Sequence, residues 1–148
     1  MKVATSRFGE IEVAPEALVT FPDGLPGFED KRFVLLPAPE APRVVWLQSI
    51  SSPDLALMTV DPRELAVEYA PRFKPAETRG VTGDREVALE CRVVARADGD
   101  GGVRLNLFAP LLFNRDAGLA VQLALVGSGY ATDTPWPAPA GSDTVPEP

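Results

Sequence analysis

The strongest constraint on the fold is the stretch Val19-Thr20-Phe21-Pro22-Asp23-Gly24-Leu25-Pro26-Gly27-Phe28-Glu29. Two prolines and two glycines so close together bar any regular element. Each proline fixes its own φ and restricts the residue before it, and each glycine opens backbone angles that other residues avoid. Asp23-Gly24 and Pro26-Gly27 are turn dipeptides, so the stretch reads as a strand end followed by two tight turns. Phe21, Leu25 and Phe28 are too apolar for an idle surface loop. Either they fold back on the core as a plug, or they face a partner.

The flanking sequence is that of a strand protein. Sixteen prolines and twelve glycines in 148 residues favour many short elements over a helical bundle. Val3 and Thr5, the turn Arg7-Phe8-Gly9-Glu10, then Ile11 and Val13 predict an opening hairpin. Phe33 to Leu36 is short and apolar, as a buried strand would be, and Pro37 to Pro42 is expected to be a connection outside the sheet ladder. Arg43 to Ser49 places Val44, Trp46 and Gln48 on one face and Val45 and Leu47 on the other. Leu55 to Val60 is a further strand. Asp61-Pro62-Arg63-Glu64 has the grammar of a helix start, with Asp61 as cap and Pro62 at the first helical position, but nothing sustains it beyond a turn. A second short helical turn is expected from Pro75-Ala76-Glu77 to Gly80.

The clearest alternation follows. Val87, Leu89, Cys91, Val93 and Ala95 share an inward face, with Glu90, Arg92 and Arg96 opposite, up to a turn at Asp98 to Gly102. Val103 to Ala109 and Leu119 to Leu125 continue the pattern, so three antiparallel strands form a meander. The expected class is all-β and mainly antiparallel, a compact barrel-like meander with one or two short helical turns. Composition changes at Ala131, where proline and small polar residues take over. The domain is therefore expected over 1–130, with a disordered tail over 131–148 in which only Trp136 has the character to dock.

Little in the chain suggests catalysis. With no histidine, Ser-His and Cys-His dyads and imidazole-based zinc sites are excluded. No glycine loop leads into a helix N-terminus, and Asp98-Gly99-Asp100 lacks the later ligands of a calcium loop. No catalytic, cofactor or metal residue is assigned. The lone Cys91 reads as a small core residue in a reducing compartment. The polar residues Gln48, Asn106, Asn114 and Gln122, set in apolar strands, are expected to bond backbone at turns and strand ends. Net charge is −7, and Asp133, Asp143 and Glu147 lie in the last eighteen residues, which carry no lysine or arginine. That balance argues against nucleic-acid binding and permits a basic protein partner. No run is apolar enough to span a membrane and Met1 to Ser6 is not a signal peptide, so the protein is expected in the cytoplasm.

Several motifs in order carry a resemblance. They are Phe8-Gly9-Glu10, Thr20 to Glu29, Trp46-Leu47-Gln48-Ser49, Pro53-Asp54-Leu55-Ala56, Asp61-Pro62, and Asn106-Leu107-Phe108-Ala109-Pro110 with Asn114, Gly118 and Gln122. Over residues 1–130 the chain resembles the bacterial flagellar assembly factor FliW family. The resemblance implies a non-enzymatic binding protein that takes flagellin and the RNA-binding translational repressor CsrA as competing partners. Antagonism of CsrA would be allosteric, away from its RNA-binding surface, and would couple flagellin translation to secretion. It implies no direct contact with nucleic acid or membrane, and the free protein is expected to be a monomer. Arg63-Glu64 departs from the family habit of large apolar residues after Asp61-Pro62. For partner contact the residues chosen are Phe21, Leu25 and Phe28 as apolar anchors if exposed, with Asp23 and Glu29 as flanking acids. The alternatives are a small-ligand-binding or carboxylate-based enzymatic barrel, and a flagellin adaptor with no CsrA role.

Overall fold

The computed structural model describes residues 1–65, 67–99 and 101–136. The opening hairpin forms as expected, β1 (Lys2–Thr5) against β2 (Gly9–Glu12), with Thr5 Oγ1 accepting from the Phe8 amide at 2.8 Å inside its turn. A 3-10 turn at Pro15–Ala17 leads into β3 (Leu18–Thr20). Then follow β4 (Arg32–Ala38), β5 (Ala41–Ser49), β6 (Ala56–Val60), a 3-10 turn at Pro62–Leu65, and helix α1 (Pro75–Thr82). The chain continues with β7 (Glu90–Ala97), β8 (Val103–Leu105), β9 (Leu111–Asn114), β10 (Leu119–Gln122) and β11 (Thr134–Trp136).

These strands close into a ring, running β7, β6, β5, β4, β3, β10, β9 and back to β7. All pairings are antiparallel except the junction of β3 with β10, which is parallel and rests on Leu119 opposite Thr20. The expected meander is present in a broken form. β8 and β9 both pair with β7, in registers that differ by three residues. The extra residues form a loop before Pro110, in which the Asn106 side chain accepts from the Ala109 amide at 3.0 Å. On their other side, β8 pairs with β11 and β9 with β10.

Ring closure gives the sheet two buried faces. Inside lie Val19, Phe21, Leu25, Phe33, Leu35, Leu47, Leu111, Phe113 and Ala120. Outside, Val60, Leu65, Val93, Ala95, Leu105 and Leu107 form a second cluster, covered by Val67, Tyr69, Tyr130 and Trp136. The β1–β2 hairpin closes a third over Val34. Fully burying each large apolar side chain is worth about 1.5–3 kcal/mol.

Four expectations are corrected by this architecture. The proline stretch after Leu36 is a tight hairpin within the ladder: Pro37 lies opposite Val45 and Ala38 opposite Ala41, with the register shifting between Pro37 and Ala38. An irregular ladder has room for a residue without an amide donor. The helix passes Gly80 and ends at Gly83, whose φ of 67° stops it, because Val81 is buried and holds the last turn down. Arg92 does not mark a solvent face. Its alternation is as read, but that face lines the ring interior, and Arg92 is only 6% exposed. Its guanidinium donates to Thr59 Oγ1 at 2.8 Å and to Glu90, and reaches the carbonyls of Thr59 and Arg43. The face holding Cys91, Val93 and Ala95 is instead the outer one. Finally, Thr134–Trp136 pairs with β8, and the Trp136 indole N–H donates to the Leu65 carbonyl at 3.1 Å. The composition boundary at 131 thus precedes the last strand, since Trp136 supplies the apolar area its neighbours lack. The rest of the expected tail, 137–148, lies outside the described residues.

Candidate functional site

The turn stretch sits at the mouth of the ring. Its backbone is held by three amide bonds: Phe21 to the Lys31 carbonyl, Gly24 to Phe21, and Phe28 to Leu25, at 2.8, 2.8 and 3.0 Å. Leu25 and Phe28 also form an isolated antiparallel bridge. Gly24 and Gly27 have φ of 72° and 88°, so both expected turns form where only glycine is unstrained.

The stretch divides between the two roles open to it. Phe21 is fully buried, edge-on to Phe33 and Phe113 with ring centroids 5.6 and 6.0 Å away. Leu25 is buried beside it in the inner cluster. These two plug the ring, so the condition of exposure fails for them. Phe28 meets it at 41% exposure, and Asp23 and Glu29 are exposed on the same turns. One aromatic ring with acids near it in sequence is therefore presented on a backbone pinned from within.

A network that the sequence did not reveal stiffens this presentation. Asp30, next to Glu29, accepts hydrogen bonds from the hydroxyls of Ser49 and Ser51. Hydrogen bonding from Ser49 foremost, then from Ser52 and, more weakly, Ser51, holds its carboxyl below the usual aspartate range. Ser49 Oγ in turn accepts from the amides of Ser51 and Ser52. Gln48, 0% exposed, lies under the same loop, its Nε2 donating to the carbonyls of Ser49, Pro53 and Leu55 at 3.0–3.2 Å. Asp54 accepts from the Ser6 hydroxyl of the first hairpin. Loop 49–55 thus ties the turn stretch to that hairpin. No local pattern links Asp30 to Ser49; the Ser-Ser pair after a strand end was the one available signal. The other polar residues behave as expected: Asn114 donates to the Val81 carbonyl at 2.7 Å, and Gln122 to the Ala109 carbonyl at 3.0 Å.

Elsewhere, Asp61 caps its 3-10 turn by accepting from the Arg63 amide at 2.9 Å and pairs with the Arg63 guanidinium at 2.8 Å. Burial pushes its carboxyl up, but the bonds from Arg63 outweigh that and lower it. Cys91 is half-buried, and burial raises its thiol to about 11, with Asp61 adding to the rise. An open cleft of about 720 Å³ lies between α1 and residues 84–89. Its Arg79 and Asp84 are paired at 3.5 Å. No cluster of metal-ligating side chains occurs among the described residues, and no helix there is long and apolar enough to cross a membrane.

Comparison with known proteins places this geometry. The FliW protein family matches residues 2–136, which takes in β11 and Trp136. The chain is 40% identical over 139 residues to the flagellar assembly factor FliW of Geobacter sulfurreducens, covering 92% of this chain and 86% of that one. It is 37% identical over 134 residues to the FliW of Heliobacterium modesticaldum, covering 89% and 88%. A crystal structure of the flagellar assembly factor FliW superposes with a TM-score of 0.81 at 29% identity, over 90% of this chain and 94% of that one. The chain belongs to the FliW family of flagellar assembly factors, which are non-enzymatic.

Proposed function

We propose that this protein acts in the cytoplasm as a switch between two protein partners, flagellin and the translational repressor CsrA. Bound flagellin leaves CsrA free to repress flagellin translation. When secretion drains flagellin, the released protein antagonises CsrA away from its RNA-binding surface, and translation resumes.

The observation that carries the reading is the turn stretch. Phe28 is exposed while the residues around it are fixed by Phe21, Leu25 and the Asp30–Ser49 network. An aromatic anchor held rigid loses little entropy on binding. Asp23 and Glu29 give the turns a negative rim, suited to steering a basic partner such as an RNA-binding protein. Phe28, Asp23 and Glu29 are the proposed contact residues; Phe21 and Leu25 act by shaping the turns.

A titration with purified flagellin and labelled CsrA from the same organism tests this. Binding of CsrA followed by its displacement on adding flagellin is the expected result. Binding to flagellin alone removes the translational half and leaves an adaptor. Binding to neither, with both partners folded, refutes the proposal.

A further inference from the structure

The closed ring has a weak seam where β3 meets β10. The Thr20 amide donates to the Gly118 carbonyl at 2.8 Å, and Leu119 opposite Thr20 is the single parallel pair. The next rung of a parallel ladder needs an amide donor two residues further along β3. That residue is Pro22, which has none, and the chain leaves the sheet there. Past this point β10 continues with its other side still paired. Leu123 donates to the Pro110 carbonyl at 3.1 Å and Leu125 to that of Phe108 at 2.7 Å. Antiparallel pairing alternates, so the amides and carbonyls of Gln122 and Ala124 point the opposite way, into the lane that β3 has left. Among the described residues, no hydrogen bond reaches those backbone groups. Exposure rises along the same edge, from buried Ala120 through half-buried Gln122 to exposed Ala124. Pro22 and Asp23, where β3 departs, are exposed as well.

We infer that this edge is a docking site for an extended segment of a protein partner, which adds to the sheet as a short strand beside residues 122–124. Three observations select that occupant. The first is hydrogen-bonding geometry. Amides and carbonyls repeating at every second residue along an edge are matched by another extended backbone, whereas a helix keeps its own backbone groups occupied. The second is the side-chain pattern. Ala120 belongs to the inner cluster, so Val121 and Leu123, both half-buried, share the outer face. A strand laid beside them meets these branched side chains with apolar residues at alternate positions. The third is charge. The chain carries a net −7, and Asp23 stands exposed where the seam opens, so two copies joined edge to edge would repel. A different protein is the favoured occupant. The inference stands apart from the identity of the partners proposed above.

The test uses the full-length protein and a short peptide of alternating threonine and valine, N-methylated at every second residue. One edge of that peptide keeps its amides, and the methylated edge prevents stacking of peptide on peptide. Hydrogen exchange is read by NMR. In the free protein the Gln122 and Ala124 amides should exchange faster than those of Leu123 and Leu125 by about tenfold or more. Peptide at saturation should slow the first pair by about tenfold and leave the second pair unchanged. Ala124→Pro deletes a donor on the open edge and spares the ladder to β9, so it should weaken peptide binding several-fold with melting unchanged. Where that variant disturbs the fold, the same peptide methylated at every amide is added to the unaltered protein, and it should protect neither residue. Gln122 and Ala124 amides that stay unprotected at millimolar half-methylated peptide overturn the inference. Protection that grows with the concentration of the free protein also overturns it, by making the occupant a second copy.

Discussion

Replacing Phe28 by alanine, with Phe21→Ala as its counterpart, separates contact from plug within one short stretch. Full burial of a phenylalanine is worth about 1.5–3 kcal/mol. Phe28, at 41% exposure, has only about half of that at stake, on the order of 1 kcal/mol. A domain of this size loses about 2–4 °C of Tm per kcal/mol, so Phe28→Ala should melt only a few degrees early. Phe21 is fully buried and edge-on to two rings, and its truncation leaves a cavity at the ring mouth. That costs about 3–5 kcal/mol, or roughly 10–15 °C. Urea denaturation with unchanged m-values, alongside thermal melts, measures both. On the binding side, an anchor worth about 2 kcal/mol or more appears as a roughly thirty-fold or larger rise in Kd for Phe28→Ala. Phe21→Ala, which loosens the turns that present Phe28 without removing the anchor, should weaken binding less than Phe28→Ala while the protein stays folded. A collapse in stability for Phe28→Ala as deep as that for Phe21→Ala would refute the reasoning. So would parental melting for Phe21→Ala.

Three further outcomes follow from the surrounding network. Gln48→Ala removes a side-chain donor from the carbonyls of Ser49, Pro53 and Leu55, of which the last two keep the amides of Ser6 and Ser49, and should cost about 1–3 kcal/mol, with amide exchange rising first in loop 49–55; uniform exchange at parental rates would contradict the tie. The folded Asp30 carboxyl is depressed below 3.8 chiefly by Ser49, so its stabilisation is complete above the unfolded value and is lost as pH falls through the folded one. Ser49→Ala should therefore move the Asp30 titration upward in NMR and shrink the stability lost below about pH 4; an unmoved titration removes the Ser49 bond from the account. Cys91, its thiol raised to about 11 mainly by burial, should react slowly with thiol reagents at neutral pH and faster once the protein is unfolded; fast labelling of the folded chain would overturn that account of its burial.

Sequence by itself determined what depends on neighbours along the chain. Glycine and proline angles are local, so the two tight turns, the opening hairpin, the Asp98 to Gly102 turn and the cap at Asp61 were legible before any fold was known. So was backbone bonding by Asn106, Asn114 and Gln122, because those side chains sit at strand ends whose amides and carbonyls need partners. Tertiary structure decided what depends on contacts between distant segments. Alternation in β7 gave two faces but not their surroundings, and only ring closure, through the pairing with β9, turned Arg92 inward and put Cys91, half-buried, on the outer face. Likewise, three apolar residues of one stretch look alike in sequence. Phe33 and Phe113, far apart in the chain, meet over Phe21 and leave Phe28 outside. A loop side chain is exposed or buried according to what the rest of the chain brings to it, and in a sheet closed on itself that is settled only when the last strand of the ring pairs.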